Sequence, residues 1–287
     1  MKNKKLIITI IIILVMIIIA LVGTVIWGIS NGSNFSFFEE EVVLLDESFK
    51  DINEITVNVK SYDVEIKESA SDDIRVEITG SEKNKDKIKV EQTENELNIY
   101  QEESIVCIGL CFYEEEITIY IPEDKIDAYN HVSSSGSLTS SVSLRKGNIE
   151  VTSGDINLKD VTEGSIKSTS GNITLENSNN LEVSSTSGDI LVEEAQNIKA
   201  QAKSGNINIT NITNSSDITT TSGDIKVDKL NIKEDSKLTA RSGNINVGLE
   251  TKVFIEATTK SGDIDIDNSN ANPTLTITTT SGDITAK

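Results

Sequence analysis

Thr152-Ser153-Gly154-Asp155-Ile156-Asn157-Leu158 is followed, seventeen residues on, by Thr169-Ser170-Gly171-Asn172-Ile173-Thr174-Leu175. The same Ser-Gly-(Asp/Asn)-Ile core returns around Gly188, Gly205, Gly223, Gly243, Gly262 and Gly282. A degenerate copy, Ser135-Gly136-Ser137-Leu138, precedes them. The intervals between these glycines run from 17 to 20 residues. So short and regular a period marks an array of stacked supersecondary units.

The residues around each glycine identify the unit. Two positions after it stands Ile in all eight full copies. Four positions after it stand Leu158, Leu175, Val192, Ile209, Val227, Val247, Ile266 and Ala286. Polar residues fill the positions between, which is the period-two alternation of a strand. Before the turn the pattern alternates again. One column reads Ile149, Ile166, Val183, Ala200, Ile218, Leu238, Ala257, Ile277, and the next inward column is small, as in Ser168 and Ala202. Each unit is therefore strand, Ser-Gly turn, strand and a polar return such as Glu176 to Asn180. Gly supplies dihedrals that an L-residue resists, and Asp or Asn tolerates a left-handed turn. Stacked about 4.8 Å apart, nine coils predict an all-β, parallel β-solenoid roughly 40 Å long. An antiparallel stack of hairpins shares the alternation, but it would place equivalent residues in mirror order.

Residues 51–130 carry the theme more weakly. Ile55–Lys60, Ile74–Thr79 and Ile117–Ile121 alternate as strands do. Ser61-Tyr62-Asp63-Val64-Glu65-Ile66 matches the repeat with Tyr in place of Gly, so it reads as a degenerate first coil. His131 stands at the start of the repeats proper, which fill 131–287.

The chain has 287 residues and a formal net charge of −20. Its first segment is of another kind. Leu6 to Trp27 holds no charged residue and consists mostly of Ile, Leu and Val. At about 1.5 Å per residue it is long enough to cross a hydrocarbon core of ~30 Å. Two readings remain open: an uncleaved anchor, and a long signal peptide cut after Gly28. Lys2, Lys4 and Lys5 precede the span, so residues 1–5 are expected in the cytoplasm and everything after Trp27 outside. The expected location is the plasma membrane, crossed once. Residues 28–50 read as a tether and a first strand. The outer portion then carries −23, which argues against a nucleic-acid partner and against an anionic membrane surface or an acidic wall polymer unless a divalent cation intervenes.

The reiterated Thr-Ser-Gly-(Asp/Asn)-Ile units at 152–156, 169–173, 186–190, 221–225 and 280–284 resemble the bacterial "putative adhesin" β-strand-repeat family, a domain of unknown function. The resemblance covers 52–287. One anchor followed by such a domain is also similar to the membrane-anchored accessory proteins of Lia-type envelope-stress operons, whose outer domain is toastrack-like. The resemblance implies architecture and says little about activity.

Candidate chemistry is sparse. The turn carboxylates Asp155, Asp189, Asp224, Asp263 and Asp283 form a column that invites Ca²⁺. Asn172, Asn206 and Asn244 interrupt it, and the glycine pairs of calcium β-rolls are absent, so turn chemistry is the simpler account. Cys107 and Cys111 flank Ile108-Gly109-Leu110 and form a candidate disulfide in an oxidising compartment. The loop Ile105 to Tyr113 is strongly apolar, and two uses of it stay open: packing under the strands, or contact with a partner or the bilayer. No cofactor is expected. No catalytic residue is expected either, because His131 has no nucleophile in a recognisable setting. Phe254 is the one aromatic after Gly136, which removes stacking platforms for sugars. The threonines before the turns are broken by Lys203, Arg241 and Lys260, which argues against an ordered-water, ice-binding face.

The sequence thus predicts a non-enzymatic binding or scaffold module at the cell envelope, with an adhesin as the alternative. Its partner is an unknown envelope protein or surface ligand. The chain ends three residues after its last turn isoleucine, so the C-terminal rung is expected to be an open edge through which a second copy or another partner can pair.

Overall fold

The computed structural model describes residues 15–16, 41–102 and 114–287. Strand signal and structure agree over the repeats. The turn isoleucines and the columns beside them point inward, and Ile156, Ile173, Ile190, Ile207, Ile225, Ile245 and Ile284 are fully buried. Burying such a side chain contributes about 1.5–3 kcal/mol. Stacking one coil on the next is the way a narrow strand pair can gain it.

The N-terminal strands are β1 (Val42–Phe49), β2 (Glu54–Val59), β3 (Asp63–Glu68), β4 (Ile74–Gly80), β5 (Ile88–Thr93), β6 (Glu96–Gln101), β7 (Glu116–Ile121) and β8 (Ala128–Ser133). A 3-10 turn at Glu82–Lys87 joins β4 to β5. The central coils are long strands: β9 (Leu138–Val151), β10 (Ile156–Ser168), β11 (Ile173–Ser187), β12 (Ile190–Ser204) and β13 (Ile207–Ser222). The C-terminal coils divide into β14 (Ile225–Leu230), β15 (Ser236–Ser242), β16 (Ile245–Leu249), β17 (Phe254–Thr258), β18 (Ile264–Ile266), β19 (Thr274–Ser281) and β20 (Ile284–Ala286). Through the repeats every pairing is parallel and joins equivalent positions, as in Ile173 to Ile190 and Val183 to Ala200. The architecture is an all-β parallel solenoid of about nine turns, with almost no helix among the described residues.

The polar returns are not loops, as the sequence had suggested. Glu176 to Asn180 lies inside β11. The reason is a third inward column, Leu144, Val161, Ser178, Ala195 and Ile212, which gives the return a buried side and holds it in register. Only where the interval lengthens, after Leu230, after Leu249 and after Ile266, does the strand break.

The ends depart from simple stacking. In the sequence β17–β18 precedes β19–β20. In space β19 pairs with β15 and β20 with β16, while β17 and β18 pair with the far side of β19 and β20. The chain lays down its outermost rung first and then slots its last strands underneath. Ile284 is therefore buried and Ile264 is 44% exposed. The expected open edge at the C-terminal rung is corrected accordingly: the edge is β17–β18, and β19–β20 is interior. The N-terminal end shows the same order. β2 lies between β6 and β8, and β3 between β7 and β9, so β6–β7 is the outer rung although β2–β3 comes first.

Beyond β6–β7 the direction reverses. β4 runs antiparallel to β7, β1 to β4 and β5 to β6. Antiparallel strands break the parallel template and so cap this end. Arg75 ties the cap together: its guanidinium donates to Asp46 at 2.6 Å and to Glu77 at 2.8 Å, and lies over the Tyr120 ring. The hydrogen bond from Arg75 holds the Asp46 carboxyl below the usual carboxylate range.

Among the described residues no helix is long and apolar enough to cross a membrane. The expected span Leu6 to Trp27 (apart from Val15 and Met16), the start of the tether, Cys107, Cys111 and the loop Ile105 to Tyr113 lie outside the described residues.

Candidate functional site

The turn edge concentrates the repeated chemistry. In spatial order its glycines run 136, 154, 171, 188, 205, 223, 243, 282, 262. Each lies against the carbonyl of the glycine before it, and Gly136 lies against that of Tyr62. A Cβ on Gly188 would stand 2.7 Å from the carbonyl carbon of Gly171. Gly223, Gly243, Gly262 and Gly282 also hold φ between 144° and 154°, which disfavours L-residues. The dihedral explanation is thus incomplete. Gly154, Gly171, Gly188 and Gly205 are not among the positive-φ glycines, and what they share with the others is the close approach of stacked backbones.

Beside the glycines runs a ladder of hydrogen bonds. The side-chain Oδ1 of each Asp or Asn accepts from the backbone N–H of its counterpart one rung on: Asp155 from Asn172 at 2.8 Å, Asn172 from Asp189 at 3.0 Å, Asp189 from Asn206 at 2.7 Å. The series continues through Asp224, Asn244 and Asp283 to Asp263, and it starts at Asp63, which accepts from Ser137 at 2.7 Å. Neighbouring carboxylates repel, and alternation with Asn relieves this. In spatial order the ladder reads Asp155, Asn172, Asp189, Asn206, Asp224, Asn244, Asp283. Charged rungs are thus about 9.6 Å apart, until Asp263 breaks the rule at the edge. Asp155, Asp189 and Asp224 are therefore kept apart, Asp283 and Asp263 are neighbours at the edge, and all but Asp263 have an oxygen engaged by backbone. Among the described residues no group of three or more His, Cys, Asp or Glu is placed to hold a metal.

The small inward column has a second use. Its hydroxyls donate to glycine carbonyls: Ser133 to Gly136, Ser168 to Gly171, Thr279 to Gly243 and Thr259 to Gly282, at 3.0–3.2 Å. Small size was legible in the sequence, and the hydrogen bond was not.

His131 lies in β8 and is buried. Its ring stacks on Tyr129 at 6.0 Å, and its Nδ1 shares a 3.2 Å hydrogen bond with the Tyr129 hydroxyl. Nε2 has no hydrogen-bond partner. Burial pushes the imidazole down to about 3 and the Tyr129 phenol up. The ring is neutral core material, stacked and hydrogen-bonded to Tyr129.

Sequence reading missed two polar groups in the N-terminal region. Gln101 accepts from the backbone N–H of Lys60 at 2.7 Å and of Ser61 at 3.2 Å, which supports the turn of the degenerate coil. Asn84 donates to Glu115 at 2.5 Å, and burial raises that carboxyl although the hydrogen bond works against the rise. Neither occupies a repeated position, so no periodicity announced them.

The outer side of the pre-turn strands is flat and polar. Three outward columns cover it, and the one nearest the turn reads Thr152, Thr169, Thr186, Lys203, Thr221, Arg241, Thr280, Lys260 in spatial order. The column farthest from the turn alternates in charge: Glu182, Lys199, Asp217 and Lys237 follow one another, with Lys199 bound to Glu182 at 2.9 Å. The post-turn sheet carries the Asp ladder and further acids such as Glu176, Glu193, Asp265 and Asp267.

No curated protein is similar to the chain at a significant level. Among solved structures it is similar to a "putative lipid binding protein" from Parabacteroides distasonis, with 17% identity, 88% of this chain and 98% of that chain covered, and a TM-score of 0.49. It is similar to a "putative adhesin" from Parabacteroides merdae, with 15% identity, coverage of 86% and 97%, and a TM-score of 0.48. A "putative adhesin" from Bacteroides fragilis gives 17% identity, 86% and 97% coverage, and a TM-score of 0.44. The Toastrack DUF4097 family matches residues 52–285, a range that takes in both the permuted N-terminal rungs and all the glycine turns, and the chain belongs to that family.

Proposed function

We propose that this protein is a non-enzymatic binding or scaffold module held at the outer side of the plasma membrane by Leu6 to Trp27, where it serves as an accessory in the response to envelope stress. The observation that carries the reading is the unbroken ladder from Asp63 to Asp263. Side chain and backbone join every rung to the next, which makes a stiff support with flat, solvated faces. Stiff repeat arrays offer extended surfaces to partners. Lys2, Lys4 and Lys5 set the orientation that places this support outside.

A rod of roughly 40 Å on a short tether works close to the membrane. In vivo crosslinking during challenge with a cell-wall antibiotic should recover a membrane partner. Recovery of none would overturn the envelope role. Strong labelling of the rod on intact cells, with the wall in place, would favour the adhesin reading instead.

A further inference from the structure

Placing the last rungs in spatial order exposes a pattern hidden in the sequence. On the pre-turn sheet the cations occupy alternate rungs from Gly171 to the edge: Lys167, then Lys199 with Lys203, then Lys237 with Arg241, then Lys260. In chain order Arg241 and Lys260 would sit on neighbouring rungs, and β19 separates them. All six are exposed. Two of them are compensated along their own column, Lys199 by Glu182 and Lys237 by its neighbour Asp217. Lys203, Arg241 and Lys260 differ. Their column neighbours are Thr186, Thr221 and Thr280, and none of the three forms an ion pair among the described residues.

An ectodomain with a large excess of carboxylates thus keeps three uncompensated cations in a straight line. They stand about 9.6 Å apart and about 19 Å end to end. We propose that this column is a docking strip for a linear polyphosphate chain lying along the rod axis. Threonine hydroxyls between the cations can donate to phosphate oxygens, and Arg241 offers a planar fork that matches them. The flanks select a single strand over a plane. Two columns away on one side the charges alternate through Glu182, Lys199, Asp217, Lys237 and Glu256, and the Asp ladder lines the other side, so a broad anionic bilayer pressed on this face would meet carboxylates that a chain confined to the strip avoids. The inference rests on the reading of the rod as a binding module, and it requires neither the membrane anchor nor the stress role.

The test uses the full chain in non-ionic detergent at low salt, titrated with long-chain inorganic polyphosphate and, separately, with phosphatidylglycerol vesicles. The variant Lys203→Thr/Arg241→Thr/Lys260→Thr inserts the residue this column already uses, so folding should survive, which thermal melting verifies. It should weaken polyphosphate binding by about tenfold or more and flatten its salt dependence. A control with the same charge change elsewhere, Lys226→Thr/Lys229→Thr/Lys233→Thr, should bind as the parent does. Equal loss in both variants, no polyphosphate binding by the parent, or vesicle binding as strong as polymer binding would each overturn the strip. Crosslinking to a membrane partner is a separate readout, so failure here leaves the scaffold role to be judged on that result.

Discussion

Gly188 shows what a single residue contributes to a stacked backbone. A methyl group there meets the Gly171 peptide of the coil below, and backbone has no flexible end to swing aside. Gly188→Ala should therefore destabilise the fold by at least about 2 kcal/mol, more than a helix or loop glycine would. Thermal or denaturant melting reads this directly, and a change below about 0.5 kcal/mol would refute the close-approach account. His131 makes a second prediction. Its folded pKa is depressed by burial to about 3, whereas an unfolded histidine titrates near ~6.5. Above that pH both states are neutral and the stability is complete. As pH falls through 6.5 the unfolded chain gains a proton that the folded chain refuses, so stability is lost at up to about 1.4 kcal/mol per unit on the way toward 3. Urea melts between pH 6.5 and 5 should show this slope, and His131→Gln should flatten it. Parallel slopes in the two proteins would show that the ring is not the cause. The glycines were legible because a period repeats them eight times. His131 was legible only as an isolated residue, since burial depends on what stacks above it.

At the scale of elements, the permuted C-terminal end puts the last strands in the interior. β19–β20 is held from both sides, by β15–β16 and by β17–β18. Truncation after Asn272 should therefore free two rungs. Hydrogen exchange should lose protection at 274–286 by deletion and at 254–266 by loss of support, while β13 and β14 remain protected. Preserved protection at 254–266 would mean simple sequential stacking. The open edge β17–β18 presents Phe254 and Ile264, which are exposed there, beside unpaired strand backbone. If a second copy covers it, Ile264→Lys should lower self-association measured by sedimentation. A parent that is monomeric at high concentration would show that acidic repulsion guards the edge alone.

For the whole molecule, charge is the dominant long-range term. A net of −23 after Trp27 makes the rod repel itself, and salt screens that repulsion over about 8–10 Å. Raising NaCl from low to moderate concentration should raise the melting temperature by a few degrees. A falling temperature would mean that ion pairs such as Lys199 with Glu182 and Arg75 with Asp46 outweigh the repulsion. Exposed pairs of this kind contribute only about 0–1 kcal/mol each, so the rise is expected. The same charge is unevenly spread. Residues 28–130 hold 26 acidic and 9 basic residues and so most of the excess, while within the repeats the acids lie mainly on the turn ladder and the post-turn sheet and the pre-turn sheet keeps its unpaired cations.

By itself the sequence determined the strand unit, the inward columns, the turn residues and the parallel stack, because each follows from a local alternation repeated at a fixed interval. The family resemblance lay in the same residues. The order of the rungs at either end was settled only by the tertiary structure. Equivalent strands present the same inward columns, so any rung can pair in register with any other, and periodicity is silent about which ones meet. That choice depends on connection lengths and on which face gains burial. It moved the open edge from the last strands to the ones before them. It also brought Thr280 between Arg241 and Lys260, which gave the cation column a spacing that chain order conceals, whereas the Asp ladder reads the same either way because Asp263 and Asp283 exchange places.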